Sequence, residues 1–176
     1  AYSRVVHAGI RRQCNVCGAW LQRFLAHGIP PEPDFLCPIC RSKPPHRLSA
    51  EYFDRHPELF AAGRNMLHVA PEPGLGARLQ ARCTAVGMGY RAGGLSGTGE
   101  AHLDLRDLAL PSASVDLVYC CHVLNAMQED ARAMREIHRV LAPGGLALLQ
   151  VPAFEPGPMT VEPEDAAERL RVFGDE

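Results

Sequence analysis

Apolar positions in this chain fall into two rhythms that change place several times. Val115–Cys120 is a short, mostly apolar run that begins just after Pro111-Ser112, and Leu146–Val151 is a second, closed by Pro152. Runs of this length bounded by turn residues predict buried strands. Between them Ala133, Ile137, Val140 and Leu141 recur at helical spacing, which predicts a helix with one face packed on a sheet. Glu129 and Asp130 stand at its start and Arg135 and Arg139 toward its end, each sign where the helix dipole favours it. Pro143-Gly144-Gly145 is expected to end the helix. Strand, crossover helix and strand make one right-handed parallel unit.

The same alternation appears upstream. Asn65–Ala70 reads as a first strand, Leu75–Val86 as the helix after it, and Met88–Ala92 as a second strand. The expectation is an α/β domain built on a mostly parallel, Rossmann-like sheet. Ser49–Phe60 looks helical, but Pro57 lies inside the pattern, so two short pieces are expected.

The head of the chain has a different character. Cys14-Asn15-Val16-Cys17 and Cys37-Pro38-Ile39-Cys40 are two Cys-x-x-Cys knuckles separated by 19 residues. Each short loop brings two thiolates to adjacent corners of one ion, and the second loop completes a tetrahedron. The prediction is a structural Zn²⁺ held by Cys14, Cys17, Cys37 and Cys40. The intervening segment is expected to be a hairpin whose Trp20, Leu21, Phe24 and Leu25 pack beside the metal. Disulfides would suit an oxidising compartment, and a redox role would use only one of the pairs. Four thiolates close the shell, so this zinc is expected to fix a fold and not to activate water.

Composition narrows the class. Of 176 residues, 47% are hydrophobic and 22% charged, enough for one core and a small appendage and unlike a disordered chain. No apolar run approaches the ~20 residues of a membrane span, and no signal-peptide pattern is seen, so the expectation is a cytoplasmic protein. The formal charge of −2 offers no general attraction to nucleic acid. Thiolates around one divalent ion would make the balance more negative still. The basic residues beside the knuckles, Arg11, Arg12, Arg41 and Lys43, offset that charge locally.

Val115-Asp116-Leu117-Val118, His122-Val123-Leu124 and Arg139-Val140-Leu141-Ala142-Pro143-Gly144-Gly145 occur in an order and spacing that resembles class I S-adenosyl-L-methionine-dependent methyltransferases, in the group labelled type 11. The resemblance runs from about Asn65 to Pro152. The head extends it: a group of these enzymes carries a four-Cys zinc ribbon followed by a Ser-x-x-Arg-His-Arg-Leu segment. His46-Arg47-Leu48 match that segment, with Pro45 in place of Arg. The organisation expected is a zinc-binding ribbon over 1–45, a helical connector over 46–63 and a methyltransferase-like domain over 64–176.

The resemblance also distributes roles. In the first strand-to-helix loop His68 takes the place of the usual acid, Ala70 that of the first glycine and Glu72 that of the second, while Gly74 is retained. The zinc-headed group tends to read Leu-His-x-Ala-Pro-Glu here, as Leu67–Glu72 does. Ala70, Glu72 and Gly74 are therefore expected to border S-adenosyl-L-methionine, with Glu72 on the methionine ammonium. Asp104 and Leu105 stand where relatives contact adenine, and Cys121 at the carboxyl end of the fourth strand is assigned to the cofactor side. His122 is the candidate base or substrate contact. Each has a plainer alternative: Asp104 as a turn acid, Glu72 as a helix-start acid, His122 as a cap of the next helix; His46, which could face the ligand cleft, has the alternative of a packed or solvated imidazole.

Two departures open a second reading. The second strand should end in an acid for the ribose, yet Gly93–Gly99 stands there, with no carboxylate before Glu100. Loss of that acceptor would cost about 1–3 kcal/mol, roughly ten- to hundredfold in affinity, unless Glu100 or backbone groups of the glycine loop replace it. Relatives read His-Val-Leu-Glu-His where this chain reads His122-Val123-Leu124-Asn125-Ala126. The leading expectation is methylation of a small-molecule or glycan-linked acceptor. The alternative is a methyltransferase-like protein that no longer methylates, serving as a binding scaffold or using the pocket for another conversion such as a cyclisation. A third is a zinc-headed ribosomal RNA methyltransferase, against which stand a single Lys and 6% aromatics.

Relatives usually end in two more strands. After Val151 this chain offers Pro-rich Pro152–Pro163 and a helical Glu164–Phe173. If the two strands are lacking, Leu146–Val151 is an open edge that could drive homodimerisation; otherwise substrate-binding residues lie beyond Glu176.

Overall fold

The structure, a computed structural model, describes residues 6–28, 30–94 and 101–152. The glycine loop beyond Gly94, Glu100, and the expected Pro-rich segment and helix beyond Pro152 lie outside those residues. The chain divides into two compact units, Ala1–Gly63 with Pro71–Tyr90, and Arg64–Ala70 with Arg91–Glu176.

The first unit opens with β1 (Ala8–Gln13) antiparallel to β2 (Trp20–Leu21), then β3 (Leu25–His27) antiparallel to β4 (Glu32–Leu36). The segment between the Cys pairs is thus not one hairpin. The first knuckle joins β1 to β2, and the second follows the β3–β4 hairpin. Leu21 is buried as expected, but Trp20 is 54% exposed, because alternate residues of a strand face opposite ways.

Helix α1 (Pro44–Arg55) starts ahead of the predicted Ser49. Pro44 and Pro45 occupy its first turn, where a missing N–H costs no hydrogen bond. It stops before Pro57, and a separate 3-10 turn covers Pro57–Leu59, so the two expected pieces are present. Phe53 is buried and meets the Phe60 ring edge-on at 5.7 Å. Helix α2 (Pro73–Val86) buries Leu75, Gly76, Leu79 and Cys83. It ends at Gly87, whose φ of +72° suits a residue without Cβ. Burial pushes the Cys83 thiol up to about 11, as for a core residue rather than a nucleophile.

The second unit carries the sheet, with the order β7-β6-β5-β8-β9 for β5 (Asn65–Val69), β6 (Gly89–Gly94), β7 (Ala101–His102), β8 (Val115–Cys121) and β9 (Leu141–Gln150). β5 runs parallel to β8, and β8 parallel to β9. Helix α3 (Asp130–Val140) is the crossover between the last two strands and buries Ala133, Ile137 and Val140. Those three meet Leu67, Val69, Val118 and Cys120 in one core cluster. At about 25 cal/mol per Å² of apolar surface, the Leu, Ile and Val side chains among them contribute ~1.5–3 kcal/mol each.

One boundary differs from expectation. The helix stops at Val140, and Leu141 already pairs with Val115, while Leu146 pairs with Leu117. Ala142–Gly145 therefore bulge out of β9, with Pro143-Gly144-Gly145 inside the strand and not at the helix end. Pro143 has no N–H for the ladder, and Gly144 has a φ of +77°. A Cβ on Gly145 would stand 2.9 Å from the Ala142 carbonyl oxygen. Among the described residues β9 is the outermost strand on its side.

Candidate functional site

In the first unit the four cysteine sulfurs lie within 4.8 Å of one another. Cys14 and Cys40 are 3.7 Å apart, and Cys17 and Cys37 3.9 Å. A zinc tetrahedron with ~2.3 Å bonds has edges of about 3.8 Å, so the cage fits that ion. The two knuckles share one backbone design. Gly18 N–H donates to the Cys14 carbonyl and Arg41 N–H to the Cys37 carbonyl, at 2.8 and 3.0 Å. Cys14 and Cys37 N–H groups donate to the Ala19 and Ser42 carbonyls at 3.0 and 2.9 Å. The residue after each second cysteine is left-handed, Gly18 at φ +69° and Arg41 at +59°.

Crowding ties the protonation of the four sulfurs together. Hydrogen bonds from Cys37 and Cys40 hold the Cys14 thiol far below its ordinary range. Cys37 and Cys40 are pushed up, chiefly by the hydrogen bond each shares with Cys14, and burial pushes Cys17 up. A divalent soft cation is what lets all four ionise together. Ser42 Oγ lies 3.3 Å from both Cys14 and Cys40 sulfurs, placed to support them as an outer partner.

Arg47, read from sequence only as part of a connector, is a staple inside this unit. Its guanidinium donates to the Phe35 and Ser42 carbonyls at 2.9 Å each and lies 4.1 Å from the Phe24 ring centroid. Burial lowers its pKa from the usual value. A bare Arg in a basic stretch gave no sign of this.

The loop 71–74 belongs to the same unit. Glu72 is the residue before α2, with Pro73 at the first helical position. The Glu72 carboxylate lies 3.4 Å from His46 Nε2, both side chains largely buried. The Lys43 N–H donates to the other ring nitrogen, Nδ1, at 3.3 Å. Gly74 faces the second knuckle: a Cβ there would stand 2.7 Å from the Cys40 carbonyl oxygen.

In the sheet unit the carboxyl ends of β5 and β8 are neighbours, with Val69 opposite Cys120. The next residue after β5 is Ala70 at φ +47°, and the next after β8 is His122 at φ +55°. Two non-glycine residues in left-handed backbone cost of order 1 kcal/mol or more each, a strain that concentrates at ligand sites. The Ala70 N–H is fixed on the Gly93 carbonyl at 2.7 Å and the His122 N–H on the Gln150 carbonyl at 2.8 Å. Cys120 is in the core cluster, while the Cys121 thiol donates to Gln150 Oε1 at 3.4 Å. His68 is fully buried against Tyr119, ring centroids 4.8 Å apart.

Asp104 accepts from Arg106, through its backbone N–H at 2.9 Å and its guanidinium at 2.8 Å. That side-chain bond holds the carboxyl down at about 2. Arg106 Nε also lies 3.0 and 3.3 Å from the two carboxylate oxygens, so one residue supplies most of the donors that Asp104 can accept. Among the described residues the Leu105 N–H has no hydrogen-bond partner. The pairing with Arg106 is a role sequence reading did not assign. β6 closes on Gly93-Gly94, both buried and without a carboxylate.

No helix among the described residues is long and apolar enough to cross a membrane. Against known proteins, a methyltransferase domain family matches residues 58–149. A protein of Mycolicibacterium smegmatis named as a probable S-adenosylmethionine-dependent methyltransferase is 31% identical in an alignment of 124 positions that covers 60% of this chain and 48% of that one. The chain thus spans about half the length of that curated relative. Among solved structures, the [4+2]-cyclase SpnF is similar with a TM-score of 0.51 and 19% identity, over 96% of this chain and 74% of the other. Phosphoethanolamine N-methyltransferase 2 of Haemonchus contortus scores 0.49 with 20% identity, over 65% of this chain and 29% of that one. The likeness to SpnF is one of fold. With a family match over 58–149, more than half its length, this chain belongs to the methyltransferase domain family.

Proposed function

We propose that the chain binds S-adenosyl-L-methionine and transfers its methyl group to a small-molecule or glycan-linked acceptor, with Zn²⁺ in a purely structural role. The observation that carries this reading is the family match over 58–149. When bound, the cofactor supplies a methyl group on a positively charged sulfur, so alignment of the acceptor provides most of the acceleration. In the first unit Glu72 would take the methionine ammonium in a charge-assisted bond. In the sheet unit Ala70 would present backbone at the end of β5. The Leu105 N–H would donate to adenine and Asp104 would accept from its amino group. Cys121, tied to Gln150, would line the cofactor side. His122, held by its own N–H on β9, would orient the acceptor or take its proton. The four thiolates close the metal shell and leave no position for substrate.

A second reading has its own observation. Buried Gly93 and Gly94 end β6 where a ribose-binding acid is expected, which favours a pocket serving another conversion or a binding role. Titration calorimetry with S-adenosyl-L-methionine and S-adenosylhomocysteine tests the first reading. Micromolar binding supports it, and absence of binding to zinc-loaded protein overturns it. Bound cofactor that never yields S-adenosylhomocysteine across a panel of acceptors would favour the second.

A further inference from the structure

Helix α2 carries Glu72 at its head, and it is attached to the metal cage at both knuckles. At the second knuckle Gly74 sits so close to Cys40 that a Cβ would come within 2.8 Å of the cysteine Cβ and 3.2 Å of its sulfur. At the first knuckle the Arg78 guanidinium donates to the carbonyl of Asn15, the residue between Cys14 and Val16. Arg78 is itself aimed by Asp54, whose two carboxylate oxygens accept from its Nη2 at 2.6 and 2.7 Å. Asn15 is fixed in turn by a bond from its Nδ2 to the Arg47 carbonyl at 2.9 Å. A third link runs from Ser42, beside two of the sulfurs, through Lys43 and His46 to the Glu72 carboxylate.

Every one of these contacts lies within the first unit, and three of them reach the stretch from Glu72 to Arg78. Without a cation the four sulfurs lose the centre that holds the two knuckles together, and with it the geometry that Gly74 and Arg78 grip. Rigid packing transmits such a change, because close-packed contacts are bistable and do not deform smoothly. We infer that zinc occupancy and cofactor binding are coupled through α2, with His46, Gly74 and Arg78 as positioning residues for Glu72. This rests on the cofactor reading above and adds to it. The metal site belongs to the binding machinery of the cofactor as well as to the stability of the head. By linkage the coupling is reciprocal: bound cofactor retains zinc to the same degree that zinc retains cofactor.

The test uses the full zinc-loaded chain and S-adenosylhomocysteine as probe. Zinc affinity is measured by equilibrium competition with a chromophoric chelator, with and without saturating S-adenosylhomocysteine. The expected result is an affinity raised fivefold or more, the lower bound of ordinary allosteric coupling. In Arg78→Ala, with zinc content checked by elemental analysis, S-adenosylhomocysteine should still bind but protect the metal much less. Gly74→Ala should hold zinc less tightly and bind the probe more weakly, and Arg78→Lys should restore part of the protection. A merely structural role would lower stability in the variants and leave the degree of protection unchanged. If the wild-type protein binds the probe yet holds zinc with the same affinity, or if Arg78→Ala is protected as well as wild type, the coupling is overturned and the cofactor reading survives. If the zinc-loaded wild type does not bind the probe, both fall.

Discussion

Glu136 and Arg139, one turn apart on α3, form a two-pronged ion pair at 2.7 and 2.8 Å that also grips the chain leading into β8. Glu136 accepts the Leu108 N–H at 3.0 Å, and Arg139 donates to the Leu108 and Leu110 carbonyls at 2.8 and 2.9 Å. The pair thus satisfies backbone groups that no strand or helix pairs. The hydrogen bond from Arg139 draws the Glu136 carboxyl from its ordinary 4.5 to about 2.

The sign of the resulting pH dependence follows from that depression. Folding favours the ionised carboxylate, so the contribution is complete above about pH 4.5 and is lost as pH falls toward 2. Urea unfolding followed between pH 2 and 7 should show Glu136→Gln less stable than wild type at pH 7, with the gap closing by pH 2. A gap that persists at pH 2 would mean the residue acts through packing and not through charge.

Zinc should be present at one ion per chain when the protein is made with the metal. Each of Cys14→Ser, Cys17→Ser, Cys37→Ser and Cys40→Ser should lower metal affinity by orders of magnitude, because one ligand is lost from a closed shell. Cys83→Ser, outside the cage, should retain full occupancy. Acidification should release the ion, since protons compete for the thiolates. Elemental analysis after dialysis reads all of these.

Glu72→Gln removes the charge expected to meet the methionine ammonium. Cofactor affinity should fall roughly ten- to hundredfold, about 1–3 kcal/mol. Calorimetry measures this directly, and an unchanged Kd would remove Glu72 from the binding site.

His122→Ala should separate binding from turnover. A base or orienting group lost from the acceptor side lowers kcat by about 10²–10⁴ and leaves cofactor Kd within a few-fold. A fall in Kd affinity with kcat preserved would place His122 on the cofactor side.

At Gly87 the left-handed cap of α2 gives a stability test free of chemistry. A Cβ there meets Ala62 only at 3.7 Å, so Gly87→Ala carries the backbone cost alone, about 1 kcal/mol. Gly87→Asn should cost less, since Asn tolerates that region. Chemical denaturation of the two variants compares them.

Local chemistry was legible in the residues alone. The two Cys-x-x-Cys spacings named the four sulfurs that the fold brings within 4.8 Å of one another, since ligand geometry depends on a few neighbouring atoms. The period of Ala133, Ile137 and Val140 named a helix face, and the apolar run at Val115 a buried strand, because burial imprints its repeat on sequence. What could not be read there were relations between segments far apart in the chain. Pro143-Gly144-Gly145 looked like a helix stop, but the register of Leu141 on Val115 made it a bulge inside β9, a matter of partner strand and not of local preference. The tie between Arg106 and Asp104, the staple of Arg47 under Phe24 and the grip of Gly74 and Arg78 on the knuckles each need two backbones brought together. A side chain's composition states what it can bond, and only the folded path of the chain selects the carbonyl, carboxylate or ring that stands within 3 or 4 Å of it.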